Sequence, residues 1–293
     1  MEIKIAKTSG FCFGVNRAVN IVDDLLSKGQ KVCTLGPIIH NPQVVDDFNK
    51  RGVQIVESSL EIPKESVLII RSHGITKSAF EYIKPENIKY VDATCPFVKK
   101  IHNIVEKNSN NKNFLLIAGD ERHPETIGIR SYFSGESFVF NCLEELKILI
   151  QKNSFFNKEP ALMVAQTTFS TNEWGKCTNF INNLFTNITI FDTICNTTNL
   201  RQSEAEFLSK TSDLMIVVGG KESSNTLKLY NICKKNVDTI FVEKLEDVPS
   251  NLSEHYSKIG ITAGASTPME LVKKIADSIK NSKETIRENE YDE

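Results

Sequence analysis

The chain has 293 residues, room for about two average domains, and its 40% hydrophobic and 25% charged side chains exclude a disordered or fibrous protein. With 35 basic against 37 acidic side chains the net charge is -2, which lacks the cationic excess that nucleic acid or an anionic membrane surface recruits. There is no apolar signal segment at the N-terminus and no run near the roughly 20 apolar residues of a membrane span, so a cytoplasmic location is expected, where the seven cysteines stay thiols.

Along the chain, short apolar or β-branched runs predict strands at 2–7, 31–36, 53–57, 67–72, 89–93, 114–119, 137–141, 161–166, 188–193, 213–219, 239–243 and 258–263. Helical periodicity fills the stretches between them, the alternation expected of parallel α/β layers. The strands fall into three sets of four, and the sets match in detail. In each, a cysteine follows the first strand and a glycine follows the second: Cys12 to Gly36, Cys95 to Gly119 and Cys195 to Gly219 are all 24 residues. Four residues after each glycine stand His40, His123 and Ser223. Asp92-Ala-Thr-Cys95 and Asp192-Thr-Ile-Cys195 lie 100 residues apart, as do Thr126 and Thr226. The expected fold is α/β, three pseudo-equivalent units at 1–93, 94–193 and 194–278 arranged with pseudo-threefold symmetry, each with a mostly parallel four-stranded sheet, followed by a polar tail at 279–293. Ligands of parallel sheets bind beyond the carboxyl ends of strands, where these markers fall.

Each register cysteine stands between a predicted strand and a predicted helix, in GFCFGV, DATCPF and DTICNT. Pro96, directly after Cys95, suits a first helical turn, and a helix N-terminus favours the thiolate that binds metal. A structural zinc site is disfavoured, because no local cysteine pair or adjacent histidine completes four ligands. Three thiolates suit a cubane iron–sulfur cluster with one iron left open. Cys33, Cys142, Cys177 and Cys233 lack the register and are read as packing residues.

His40, His73, His123, Thr167, Thr168, Ser223, Ser224, Asn225 and Ser266 are the polar residues at the remaining equivalent strand ends. Together they offer the donors that hold an anion such as phosphate or diphosphate. Glu125, two residues beyond His123, is read as a proton donor, since a neighbouring anion disfavours the ionised carboxylate. His102 and His255 have no place in the pattern, and Asp92 and Asp192 read as turn or cap groups.

The ordered set GFCFGV (10–15), LGPIIHNPQV (35–44), RSHG (71–74), DATCP (92–96), HPET (123–126), QTT (166–168), SSNT (223–226) and GAST (264–267) resembles the 4-hydroxy-3-methylbut-2-enyl diphosphate reductase family over about residues 1 to 278. The resemblance implies a trefoil around a 4Fe-4S cluster held by Cys12, Cys95 and Cys195, with the hydroxyl of the allylic diphosphate on the open iron. It implies diphosphate contacts from His40, His73, His123, Ser223, Ser224, Asn225 and Ser266, with Thr167 and Glu125 at the reacting end. It also implies an external electron donor, a ferredoxin or flavodoxin; Gly219-Gly220 lacks the spacing of a dinucleotide fingerprint. Two alternatives stay open. One is a condensing or dehydrating enzyme resembling quinolinate synthase, for which arginine clamps are expected and only Arg71 lies at a strand end. The other is a non-enzymatic iron–sulfur sensor.

Overall fold

The computed structural model describes residues 1–85, 88–110, 113–153, 156 and 159–289. Its strands are the expected twelve, most of them a residue or more shorter: β1 (Glu2–Ile5), β2 (Val32–Leu35), β3 (Gln54–Val56), β4 (Val67–Ile70), β5 (Tyr90–Asp92), β6 (Phe114–Ala118), β7 (Ser137–Phe140), β8 (Ala161–Ala165), β9 (Ile188–Ile190), β10 (Leu214–Val218), β11 (Thr239–Val242) and β12 (Lys258–Ala263). The helices between them are α1 (Phe13–Ser27), α2 (Pro42–Lys50), α3 (Lys77–Ile83), α4 (Pro96–Lys107), α5 (Pro124–Ser131), α6 (Leu143–Lys152), α7 (Thr171–Leu184), α8 (Asn196–Ser209), α9 (Ser224–Cys233), α10 (Leu252–His255) and α11 (Met269–Asn289).

The strands form three four-stranded sheets, ordered β1-β12-β10-β11, β3-β2-β4-β5 and β7-β6-β8-β9, and every pairing is parallel. Here the sheets depart from the sets read in sequence. The strand that leads each set pairs instead with the strand that closes the set before it: β5 with β4, β9 with β8 and β1 with β12. Each register cysteine therefore lies on a connection that carries the chain from one sheet to the next. The cause is local. β1, β5 and β9 are edge strands of three or four residues that mix apolar with polar side chains, and so short a pattern does not encode which neighbour they meet.

The chain forms two compact units. One contains residues 1–13, 40–42 and the chain from Asn199 onward, and holds the sheet β1-β12-β10-β11; the other contains 14–39 and 43–198, and holds the remaining two sheets. In the first unit, alternate residues of β10 face opposite sides, as the strand period of two requires. Leu214, Ile216 and Val218 pack with Val272, Ile275, Ala276 and Ile279 of α11, while Met215 and Val217 pack with Ala205, Leu208, Leu229 and Cys233 of α8 and α9. In the second unit, Leu116, Ala118, Met163 and Ala165 meet Trp174, Cys177 and Ile181 of α7, and on the opposite face Leu115, Ile117, Leu162 and Val164 meet Ile101, Val105 and Ile129. Coverage of both faces explains why the central strands read as unbroken apolar runs. The segment expected to be a polar tail from residue 279 continues α11 as far as Asn289, Ile279 itself being buried, and 290–293 lie outside the described residues. No helix among the described residues is long and apolar enough to cross a membrane.

Candidate functional site

The three register cysteines share one backbone anchor. The amide of Cys95 donates to Ser72 O at 2.9 Å, that of Cys195 to Thr167 O at 3.0 Å and that of Cys12 to Ala265 O at 3.0 Å. Ser72, Thr167 and Ala265 are each the second residue beyond the end of β4, β8 and β12, so the equivalence seen in sequence extends to the hydrogen bonding. All three cysteines lie outside any disulfide and are only partly buried. Helices α1, α4 and α8 follow them as expected, with Pro96 in the first turn of α4. Gly14 lies so close to Cys95 that a Cβ built on it would come within 2.7 Å of Sγ, which leaves glycine as the residue the approach permits.

The other cysteines behave differently. Cys33, Cys177 and Cys233 are buried, and loss of solvation pushes their thiols up to about 11, about 12 and about 12, away from the thiolate that metal binding needs. Cys142 is partly buried at the start of α6.

The remaining markers also acquire physical reasons. A Cβ on Gly119 would meet Thr126 Oγ1 at 2.9 Å, and one on Gly219 would meet Thr226 Oγ1 at 2.7 Å. The Gly–Thr pairs recur 100 residues apart because each threonine occupies the space its glycine vacates. Gly36 takes φ +70°, and the space beside it is filled by the Arg71 guanidinium, whose Nε donates to Gly74 O at 3.4 Å. Arg71 thus braces its own loop, a structural use that weakens its reading as a carboxylate clamp.

In the unit with two sheets, Glu125 is 2% exposed and receives the amide of Thr167 at 2.6 Å on one carboxyl oxygen and the Thr167 hydroxyl at 2.8 Å on the other. The carbonyl of that same Thr167 accepts from Cys195 N and, at 2.9 Å, from Thr198 Oγ1. One residue therefore ties Glu125 to the Cys195 loop. His123 caps α5: its Nδ1 accepts the Glu125 amide at 3.1 Å, so a neutral ring carries its proton on Nε2 and is a donor there. The His73 ring meets His123 edge-on, centroids 5.4 Å apart. Gln166, fully buried, fixes the adjoining turn by donating to Thr168 Oγ1 at 3.1 Å and accepting from Asp120 N at 3.2 Å.

In the other unit, the Ser266 hydroxyl donates to His40 O at 2.9 Å, and Asn41 Nδ2 donates to Ser266 O at 2.9 Å. Ala265, the residue before Ser266, holds Cys12, so these bonds bring the Cys12, His40 and Ser266 loops together. Ser223 caps α9 by accepting from Thr226 N, and Lys228 Nζ donates to Ser224 Oγ at 3.1 Å. Asn225 is 4% exposed, yet neither its Nδ2 nor its Oδ1 has a hydrogen-bond partner. A buried amide with unused donor and acceptor capacity is unfavourable unless a ligand supplies the partner.

His102 stacks on Tyr132 at 4.3 Å, and burial pushes it down to about 4, so it is a neutral core residue; His255 is exposed. Sequence reading missed Asn41, Gln166 and Thr198, though the first two lie inside recognised motifs. It also missed Arg17 and Arg201, for which no signal existed because their hydrogen-bond partners are backbone carbonyls.

The chain is similar to known proteins over nearly its whole length. The chain is 42% identical to the 4-hydroxy-3-methylbut-2-enyl diphosphate reductase of Caldanaerobacter subterraneus subsp. tengcongensis over 97% of this chain and 98% of that protein. It is 38% identical to the enzyme of the same name from Clostridioides difficile over 96% and 100%. Among solved structures, the E-1-hydroxy-2-methyl-but-2-enyl-4-diphosphate reductase of Plasmodium falciparum superposes with a TM-score of 0.86 at 28% identity, over 94% of this chain and 87% of that one. A structure of (E)-4-hydroxy-3-methyl-but-2-enyl diphosphate reductase, described as the terminal enzyme of the non-mevalonate pathway, matches with a TM-score of 0.67 at 35% identity, over 96% and 100%. With the family model of the LytB protein matching residues 3–280, the chain belongs to the LytB family.

Proposed function

We propose that this chain reductively dehydroxylates (E)-4-hydroxy-3-methylbut-2-enyl diphosphate to isopentenyl and dimethylallyl diphosphate, the last step of the non-mevalonate isoprenoid route, in the cytoplasm. The reading rests on membership of the LytB family and, within the molecule, on one observation: Thr167 joins the buried carboxyl of Glu125 to the loop of Cys195.

Cys12, Cys95 and Cys195 are assigned as the ligands of a 4Fe-4S cluster. The donor set fits that group: three partly buried cysteines outside any disulfide, on equivalent backbone anchors, with Gly14 closely packed at Cys95. When bound, such a cluster supplies single electrons and an iron with an open position for a Lewis-acid role. The electrons come from an external donor, a ferredoxin or flavodoxin.

The protein's own groups do the rest. The reaction consumes two electrons and two protons: the allylic C–O bond breaks, one proton leaves in water and one is fixed on carbon at either end of the allyl unit. Glu125 is the group assigned to proton delivery, with the Thr167 hydroxyl orienting its carboxyl. His40, His73, His123, Thr168, Ser223, Ser224, Asn225 and Ser266 are assigned to the substrate, chiefly its diphosphate, with the His123 Nε2–H and the unused Asn225 amide as ready donors. Binding energy from this remote anion holds the hydroxyl in place for reaction, so loss of a histidine is expected to lower kcat as well as affinity.

The test is anaerobic turnover of the hydroxylated diphosphate with a chemical reductant and mass analysis of the products. Both five-carbon diphosphates are expected; an iron-loaded preparation that returns the substrate unchanged would overturn the assignment.

A further inference from the structure

A cysteine that presents its thiolate to a metal must have its loop held from both sides, because a loop that rotates loses the ligand geometry. The amide anchors described above fix each cysteine from within. A second set of bonds fixes the residues just ahead of it. Arg17 Nη2 donates to Asp92 O at 2.9 Å and Nη1 to Thr94 O at 3.4 Å, so one guanidinium grips the two carbonyls that lead into Cys95. Arg201, 3% exposed, donates from Nη2 to Gly10 O at 2.6 Å and from Nη1 to Ala263 O at 3.0 Å, which joins the loop entering Cys12 to the end of β12. The third loop is braced by a hydroxyl instead: Thr193 Oγ1 accepts from Ala165 N at 2.8 Å and donates to Ala165 O at 2.6 Å.

The arginines do not come from the loops they hold. Arg17 lies on α1, which follows Cys12, and braces Cys95; Arg201 lies on α8, which follows Cys195, and braces Cys12. A guanidinium is suited to this because its rigid planar fork spans two acceptors at once, whereas a lysine offers one point charge.

We infer that Arg17 and Arg201 are positioning residues that hold the Cys95 and Cys12 loops in the geometry that retains the cluster, an inference that rests on the cluster assignment made above. Each helix that begins at one cysteine thereby orders the loop of another.

The test uses anaerobically purified holoprotein, with cluster loss to an iron chelator followed by visible absorbance. Alkylation of Cys33, Cys177 and Cys233, read by mass spectrometry, reports on the fold. Arg17→Ala and Arg201→Ala should each lose the cluster about tenfold faster than wild type, the effect of removing a charge-assisted hydrogen bond, while the three buried thiols stay unlabelled. Arg17→Lys and Arg201→Lys should fall between alanine and wild type, and they carry the test should an alanine variant fail to fold. Wild-type rates in all four variants would overturn the inference, as would faster loss accompanied by labelling of the buried thiols, which marks general unfolding. A wild-type preparation without iron would instead remove the cluster assignment itself.

Discussion

Two corresponding corners of the fold differ in one respect that separates their roles. After β6 the chain turns through His123 to Glu125, and after β10 it turns through Ser223 to Asn225, at the same distance from Gly119 and Gly219. Both side chains are almost fully buried. Glu125 is gripped twice by Thr167, whereas the residue at the position matching Thr167 is Ala265, which has no hydroxyl, and Asn225 keeps both amide atoms unpaired. One scaffold thus holds the group proposed for proton delivery in place before any ligand arrives and leaves the group proposed for anion binding to be completed by the ligand. Preorganisation is valuable where a proton must move at a defined atom, and unmet hydrogen-bond capacity is valuable where affinity for an incoming anion is wanted.

The comparison can be broken most forcefully at Glu125. Glu125→Gln keeps the shape and removes the proton, so turnover should fall by at least about a hundredfold while cluster absorbance is unchanged. Near-full activity would show that the braced corner is not the proton source. Thr167→Val should act more gently, since the amide still holds one carboxyl oxygen: steady-state kinetics should show kcat reduced roughly tenfold with KM little altered. A change in KM alone would place Thr167 on the binding side. Asn225→Ala is the smallest in stability and the sharpest in contrast. Having no partner to lose, the variant should melt within about 0.5 kcal/mol of wild type, yet calorimetry should show the diphosphate binding several-fold more weakly. A clear stability loss with intact binding would reverse the reading of the open corner.

Much of this was legible in the sequence, for physical reasons that can be named. β4, β8 and β10 are buried on both faces and so appear as unbroken apolar runs. The Gly119–Thr126 and Gly219–Thr226 pairs are legible because steric exclusion couples the identity of both residues. The cysteine register is legible because each cysteine sits at the same point of a repeated connection. Sheet membership of β1, β5 and β9 was not, because short edge strands carry no mark of the neighbour they will join. Nor were Arg17 and Arg201, because they bind carbonyl oxygens, which every residue possesses and no sequence pattern reveals.

The central claim is that the three register cysteines, and not the other four, hold the cluster. Its most direct test is iron and acid-labile sulfide per chain in anaerobic preparations of single Cys→Ser variants. Wild type and the variants at Cys33, Cys142, Cys177 and Cys233 should carry about four irons, and those at Cys12, Cys95 and Cys195 should lose most of them. Full iron in any of the last three, or iron lost only on changing a buried cysteine, would contradict the account.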